Sequence, residues 1–426
     1  MKRFININTI QFLILAFCIG TANSVVAQDE FVEEDPDSES KTERNFANYS
    51  LGSGLNFSFN EGDYLFNVTG FIQPGYFKET VDGLEDVDQF RSKRTFLQFD
   101  GAALKEKVSF FVQLDFSLTN PLMDAWIAYH PIEELKLSFG QKQTFVNNRE
   151  MLYREDRLQF VNRSFLSQNL SKTGREFGVF VESQFKLGES FGIAPMAALT
   201  SGDGRNSFGE DSRDSDIGGI KIGGRLDIYP LGFFKPGNEI TSVDLKREDK
   251  LKFVLGIAGS QNDGASGSVG ESHGDFFLFD ENGNNNLPDY RQLYTDLLLK
   301  YKGFSFLAEY ANTTATNIDI TYVDESATEI LRPQQISEFL ALGDSYNFQL
   351  GYLTKSGFSF DARYETTTPE FETFAGSVLT EIDATTLGVS KYFYENALKI
   401  QASYSRIDPV MGEAINQFEL IFHIAL

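Results

Sequence analysis

From about residue 64 to the last residue, apolar and polar side chains alternate with a period of two. The alternating segments run roughly 9 to 11 residues, the length of a tilted strand that crosses a bilayer. Val108, Phe110, Val112, Leu114, Phe116 and Leu118 alternate with Lys107, Ser109, Gln113, Asp115 and Ser117. Ile220, Ile222, Leu226 and Ile228 do so against Lys221, Arg225 and Asp227, and Phe358, Phe360, Ala362 and Tyr364 against Ser359, Asp361, Arg363 and Glu365. The last segment sets Phe418, Leu420, Phe422, Ile424 and Leu426 against Gln417, Glu419 and His423. One face of each segment is oily and the other wet.

The pattern predicts strands at 64–78, 91–101, 107–118, 122–130, 135–142, 175–187, 190–201 and 217–230. The second half adds 251–261, 291–302, 304–312, 347–355, 358–367, 383–394, 397–406 and 415–426. An all-β, closed antiparallel barrel of about 16 strands follows, a size that leaves an aqueous channel. Connection lengths supply a second test, because such barrels alternate tight periplasmic turns with long outer loops. Short connections fall at 188–189, 302–303, 356–357 and 395–396, with 102–106 and 131–134 slightly longer, all on one side. Long ones fall at 79–90, 143–174, 202–216, 262–290, 313–346 and 368–382, all on the other. Two depart from the rhythm: 119–121 is short outside and 231–250 is long inside. A soluble β-sandwich also alternates, but it seldom keeps such a rhythm over so many segments.

Ahead of the barrel, residues 1–27 read as a secretory signal. Lys2 and Arg3 precede an apolar core from Phe12 to Ile19, and Val25-Val26-Ala27 offers a small-residue cleavage site. Residues 28–63 are expected to be a disordered leader, because 29–44 carries eight acids and two bases with little apolar periodicity. No later run of apolar residues is long enough for a transmembrane helix. Export and a strand-built membrane domain at 64–426 together predict the outer membrane of a Gram-negative bacterium, with lipid around the barrel.

Composition agrees: 42 Phe and 17 Tyr against 5 Met is usage typical of strands. The one cysteine, Cys18, lies in the signal, so disulfides, cysteine-based metal sites and a thiol nucleophile are excluded from the mature chain. A formal charge of -24 argues against nucleic acid as a partner. Most of that charge lies in the leader and the outer loops, so it says little about a pore. Connection 141–175 goes the other way, with Lys142, Arg149, Arg154, Arg157, Arg163, Lys172 and Arg175 against Glu150, Glu155 and Asp156. As the third outer connection it is expected to fold into the lumen and narrow it. Guanidinium groups in a constriction attract oxyanions through planar forks and poorly screened fields. The alternative is a structural clamp, in which these residues pair with the loop acids or with Asp115 and Asp124. Arg94, Lys221, Arg225 and Arg363 fall on the wet face and extend the candidate basic lining of the pore wall.

Several stretches are similar to a known family. They are Arg91-Ser92-Lys93-Arg94-Thr95-Phe96-Leu97, Val112-Gln113-Leu114-Asp115-Phe116, Asp124-Ala125-Trp126-Ile127 and Phe139-Gly140-Gln141. Phe160-Val161-Asn162-Arg163-Ser164, Gly174-Arg175-Glu176-Phe177-Gly178-Val179 and Tyr301-Lys302-Gly303-Phe304-Ser305-Phe306 continue the likeness. Together they resemble the phosphate-selective porin O and P family. The resemblance implies a homotrimeric 16-stranded outer-membrane porin whose third loop narrows a channel for small inorganic anions, phosphate or related oxyanions. The chain departs from the family where Gln143-Thr144 replace a Pro-Pro step and where Asp156-Arg157 stand in reversed order.

Other chemistry finds little footing. His130, His273 and His423 show no serine, cysteine or acidic partner at informative spacing, so a hydrolase is disfavoured and no catalytic residue is assigned. No cofactor motif occurs, and Gly52-Ser53-Gly54 reads as a turn. Asp280, Asn282, Asn284, Asn286 and Asp289 alternate oxygens around Gly283 but lack the closing glutamate of a calcium loop, so no metal site is assigned. The expected function is passive diffusion of small anions. The alternatives are a weakly selective or cation-leaning general porin, and an outer-membrane receptor or adhesin barrel.

Overall fold

The computed structural model describes residues 45–188, 190–205, 218–272, 274–374 and 376–426. The expected signal, the leader as far as residue 44, and His273 lie outside the described residues. An N-terminal hairpin comprises β1 (Phe46–Ser50) and β2 (Gly54–Phe59). The wall begins with β3 (Tyr64–Val81), β4 (Val87–Ala103), β5 (Val108–Asp115), β6 (Leu122–Ile132) and β7 (Leu135–Gln143). Next come β8 (Arg175–Ser183) and β9 (Phe185–Leu187), which form one wall strand interrupted at Gln184, then β10 (Phe191–Thr200), β11 (Lys221–Tyr229) and β12 (Lys252–Asn262). The wall ends with β13 (Asp289–Tyr301), β14 (Phe304–Thr316), β15 (Gly343–Leu353), β16 (Phe358–Pro369), β17 (Ile382–Tyr394), β18 (Leu398–Pro409) and β19 (Ile415–Ala425). Every neighbouring pair is antiparallel, and β19 pairs with β3 from Ile415↔Val81 to Ala425↔Phe71 to close the cylinder. With the hairpin set aside and β8–β9 taken together, the barrel has 16 strands, each overlapping one that the alternation predicts.

The hairpin corrects the expected extent of the leader: residues 46–50 and 54–59 are strands, not coil. Leu55 to Phe59 pair with Val68 to Tyr64, so β2 takes the inner end of β3's edge while β19 takes the rest. Gly52 and Gly54, with φ of 82° and 69°, make the turn as read from the sequence. The strands escaped notice because five or six residues are too few for a two-residue period to stand out.

Burial runs opposite to a soluble protein. On β16, Phe358, Phe360 and Tyr364 are exposed, while Ser359, Asp361, Arg363 and Glu365 are buried. Ile222, Ile127 and Leu387 stand 62%, 60% and 57% exposed on the outer face. Such a continuous apolar band would be untenable in water and is what a bilayer requires. The lumen in turn holds protein. Outer connections 263–288, 317–342 and 370–381 pack Leu278, Leu331, Ile336, Leu340 and Leu342 with Phe276, Phe339 and Phe371 over one side of the mouth. Connection 144–174 crosses the interior, and the long inner connection 230–251 also turns inward.

Candidate pore constriction

Loop 144–174 leaves the wall between β7 and β8 and is closed at its neck by Thr144 N–H donating to Gly174 O at 2.8 Å. Two short 3-10 turns, Glu150–Leu152 and Glu155–Arg157, precede α1 (Phe165–Leu170). Ser164 caps that helix by accepting from Ser167 N–H. The loop is expected to fold into the lumen, and its partners lie around the inner wall. Asn148 Nδ2 donates to Glu309 on β14, Gln349 of β15 donates to Glu150, and Gln159 Nε2 donates to Asp361 on β16 at 2.7 Å. Val161 N–H donates to Ser403 of β18, and Lys399 donates to Asp156 O. These wall residues are the polar half of the alternation, which is why their side chains point inward to meet the loop.

The seven basic residues of the connection all lie within ion-pair distance of carboxylates. Arg149 is 4% exposed and sits between Asp227 at 2.7 Å and Asp296 at 2.5 Å. Lys142 pairs with Glu182, and Lys172 with Asp275 at 2.7 Å. Arg163 reaches Glu155 and donates to Glu150 O and Tyr153 O. Arg175 bridges Glu155 at 2.7 Å and Asp124 at 3.4 Å. Arg154 and Arg157 both lean on Asp156, at 2.9 Å and 3.5 Å, and keep about a quarter of their side chains open. Burial alone would raise the Glu155 and Asp156 carboxyls, but Arg175 and Arg163 outweigh it at Glu155, and Arg154 and Arg157 at Asp156, so both are held well below the usual carboxylate range. Glu150 is lowered too, with Arg363 and Arg163 overcoming its burial.

Among the wall cations, Lys221 pairs with Glu176, and Arg225 with Asp227 and Asp296. Arg363 lies 2.7 Å from Glu365 and 3.7 Å from Glu150. Arg94 is different. It donates to Gln73 Oε1 at 2.9 Å and to Val161 O, and among the described residues no carboxylate lies within ion-pair distance.

Two cations that alternation missed stand beside it. The β3–β4 register passes from Gln73↔Arg94 to Pro74↔Ser92, leaving Lys93 as the extra residue of a bulge. Lys93 and Arg94 therefore both reach the inward loop. Lys93 Nζ donates to Asn162 Oδ1 and to Glu419, and Arg91 reaches the same Glu419 at 2.7 Å. The available signal was Pro74, which has no N–H for the ladder and so favours a bulge. Gln98 on β4 accepts from Arg154, so the sequence Arg91, Lys93, Arg94, Arg154, Arg157 follows one side of the interior from the outer end inward. Its directly paired carboxylates are Glu419 and Asp156, giving more cations than anions there.

Below the loop, a cavity of about 540 Å³ is lined by Lys136, Arg154, Arg157, Glu182, Tyr229 and Glu239 among others. A neighbouring one of about 810 Å³ lies at the inner ends of β3 to β6. Ser109 Oγ and His130 Nε2 meet there at 3.0 Å, a serine partner that sequence spacing did not reveal. The pair is a cross-strand contact of β5 and β6, and no hydrogen bond to the other ring nitrogen orients the imidazole among the described residues. His423 Nδ1 faces Gln73 Nε2 at 3.1 Å. In the Asn/Gly-rich outer loop, Asp280 accepts from Asn282 N–H and Asn284 N–H, an internal turn that accounts for the alternating oxygens.

No family model matches the chain, and no curated protein matches it. Among solved structures it is similar to outer-membrane-expressed OmpT of Vibrio cholerae, at 12% identity over 85% of this chain and 98% of that one, with a TM-score of 0.49. Salmonella typhi OmpF in complex with daunomycin gives 12% identity over 85% and 98%, with a TM-score of 0.49. The outer membrane channel DcaP of Acinetobacter baumannii gives 12% over 85% and 97%, with a TM-score of 0.48. Closure, strand number and the apolar outer band make the chain an outer-membrane barrel of porin-like architecture.

Proposed function

We propose that the protein is a passive diffusion porin whose open path favours small inorganic anions, phosphate-like oxyanions foremost, and that it works as a homotrimer. The reading rests on the surplus of cations along the β3–β4 side, where Arg91 and Lys93 share Glu419, Arg154 and Arg157 share Asp156, and Arg94 has no carboxylate at ion-pair distance among the described residues. Two guanidinium groups on one carboxylate leave a net positive charge in a narrow, weakly screened space, which lowers the free energy of an anion there and raises that of a cation. The sequence resemblance to phosphate-selective porins supports the choice of oxyanion.

The test is the reversal potential of the purified protein in a planar bilayer under a potassium chloride gradient, with and without phosphate. Anion selectivity with chloride current reduced by phosphate is expected, and selectivity should fall in the Arg154→Gln/Arg157→Gln double variant. A cation-selective potential indifferent to phosphate would reject the reading. It would favour the second one, a weakly selective porin, for which the pairing of Lys142, Arg149, Arg163, Lys172 and Arg175 as a clamp already speaks.

A further inference from the structure

Barrels of this kind usually turn on their inner side in a few residues. Here the connection of β11 to β12, residues 230–251, is long, and much of it is buried. Asn238, Thr241 and Asp244 are wholly inaccessible to solvent, and Ser242, Val243 and Glu248 nearly so. A connection that merely lay on the rim would leave its backbone in water.

Its anchors begin on β13, the neighbour of its own strand β12, and continue round the wall to β17. Lys300, fully buried on β13, donates to three of its carbonyls, Asn238 O, Thr241 O at 2.7 Å and Val243 O at 3.0 Å. Asp244 accepts from Gly303 N–H at 2.6 Å and from Asn238 Nδ2 at 2.8 Å. Arg247 donates to Lys302 O and Leu353 O at the inner ends of β13 and β15. Val243 packs with Leu353 and Tyr392, and Lys246 pairs with Glu395 beyond β17. The connection thus extends beneath β13 to β17. It also supports the loop above it: Thr241 Oγ1 donates to Arg157 O at 2.8 Å, and Ser242 Oγ to Gln159 Oε1 at 3.0 Å.

We propose that connection 230–251 is a second constriction element, one that closes the β12–β16 side of the barrel from below and confines solute to the cavities beside β3 to β11 and to one of about 450 Å³ between the connection and the β17–β18 turn. The proposal rests on the porin reading and adds the element that sets the size limit. Lys300 and Asp244 act as positioning residues, and Glu239 and Ile240, which line the 540 Å³ cavity, form the edge that solute passes. Outer connections packed over the same side, and the loop pinned to β13 through β18, make the filling continuous from mouth to base.

Lys300→Met removes the donor that gathers three carbonyls. In bilayers its single-channel conductance should rise about two-fold, and reconstituted vesicles should admit larger neutral sugars, since conductance follows the narrowest cross-section. Cysteine scanning gives a readout independent of that variant's folding, because Cys18 is the only cysteine in the sequence and lies in the expected signal. A thiol reagent added to vesicles should modify Glu239→Cys and reduce its current, and should modify Ser242→Cys at least about ten-fold more slowly, as burial demands. A conducting wild type with unchanged conductance and sugar limit in Lys300→Met, or equal modification at 239 and 242, would overturn the proposal while leaving the porin reading intact. A wild-type protein that forms no channel would overturn both.

Discussion

Arg149 shows how charge is used inside this barrel. It lies between Asp227 and Asp296, which also hold Arg225, so four charges form one buried network. Removing one member leaves a carboxylate short of a partner in a place water reaches poorly, and Arg149→Met should cost about 3–5 kcal/mol, read as a lower urea midpoint of the folded barrel. Lys172→Ala is the control. Its pair with Asp275 has both side chains nearly half exposed, and the loss should stay within about 0–1 kcal/mol. The carboxyls of Glu155 and Asp156 set the pH range. Because their arginine partners depress them in the folded state, their contribution is complete above the ordinary carboxylate range of about 4 and is lost only as pH falls below it toward the lowered folded values. Conductance recorded from pH 7 down to 3 should therefore hold steady to about 4 before the loop loosens.

At the scale of elements, the bulge in β4 deserves a direct experiment. Deleting Lys93 would give plain pairing, with Gln73↔Arg94 followed directly by Pro74↔Ser92 and Gly75↔Arg91, and would leave residues 87–92 on their present faces. The deletion should therefore leave the folded fraction on refolding into detergent close to wild type, and both it and Lys93→Gln should lower anion preference, since each removes the ammonium that reaches Asn162 and Glu419. The same element marks the limit of what could be read beforehand. Period-two alternation located every wall strand because lipid on one side and polar lumen on the other act on each residue in turn. It misplaced Lys93, since one inserted residue reverses parity without altering composition. The hairpin at 46–59 was too short to register. The candidate basic residues were found, because seven cations in an acidic chain are conspicuous, but their pairing was not, because partners such as Asp227 and Asp296 come from strands far away in sequence. The inward path of 230–251 announced itself only as an unusual length.

For the whole molecule, an interior filled on one side and lined by surplus cations on the other predicts how selectivity responds to salt. Screening lengths shrink from about 10 Å at 0.1 M to about 3 Å at 1 M, so the anion-to-cation permeability ratio should be lower in 1 M than in 0.1 M potassium chloride. The seam carries a different consequence. Thr69 Oγ1 donates to Leu426 O across a separation of 357 residues, and β3 cannot acquire its last partner until β19 is present. Contacts so distant in sequence form slowly, since a long chain must first be brought together. Both inward connections lie between those two strands in the chain and end up enclosed by them. Assembly must therefore pack the interior before or while the cylinder shuts, and a variant that delays either connection would betray itself as a population of unsealed, protease-sensitive sheets long before any current is measured.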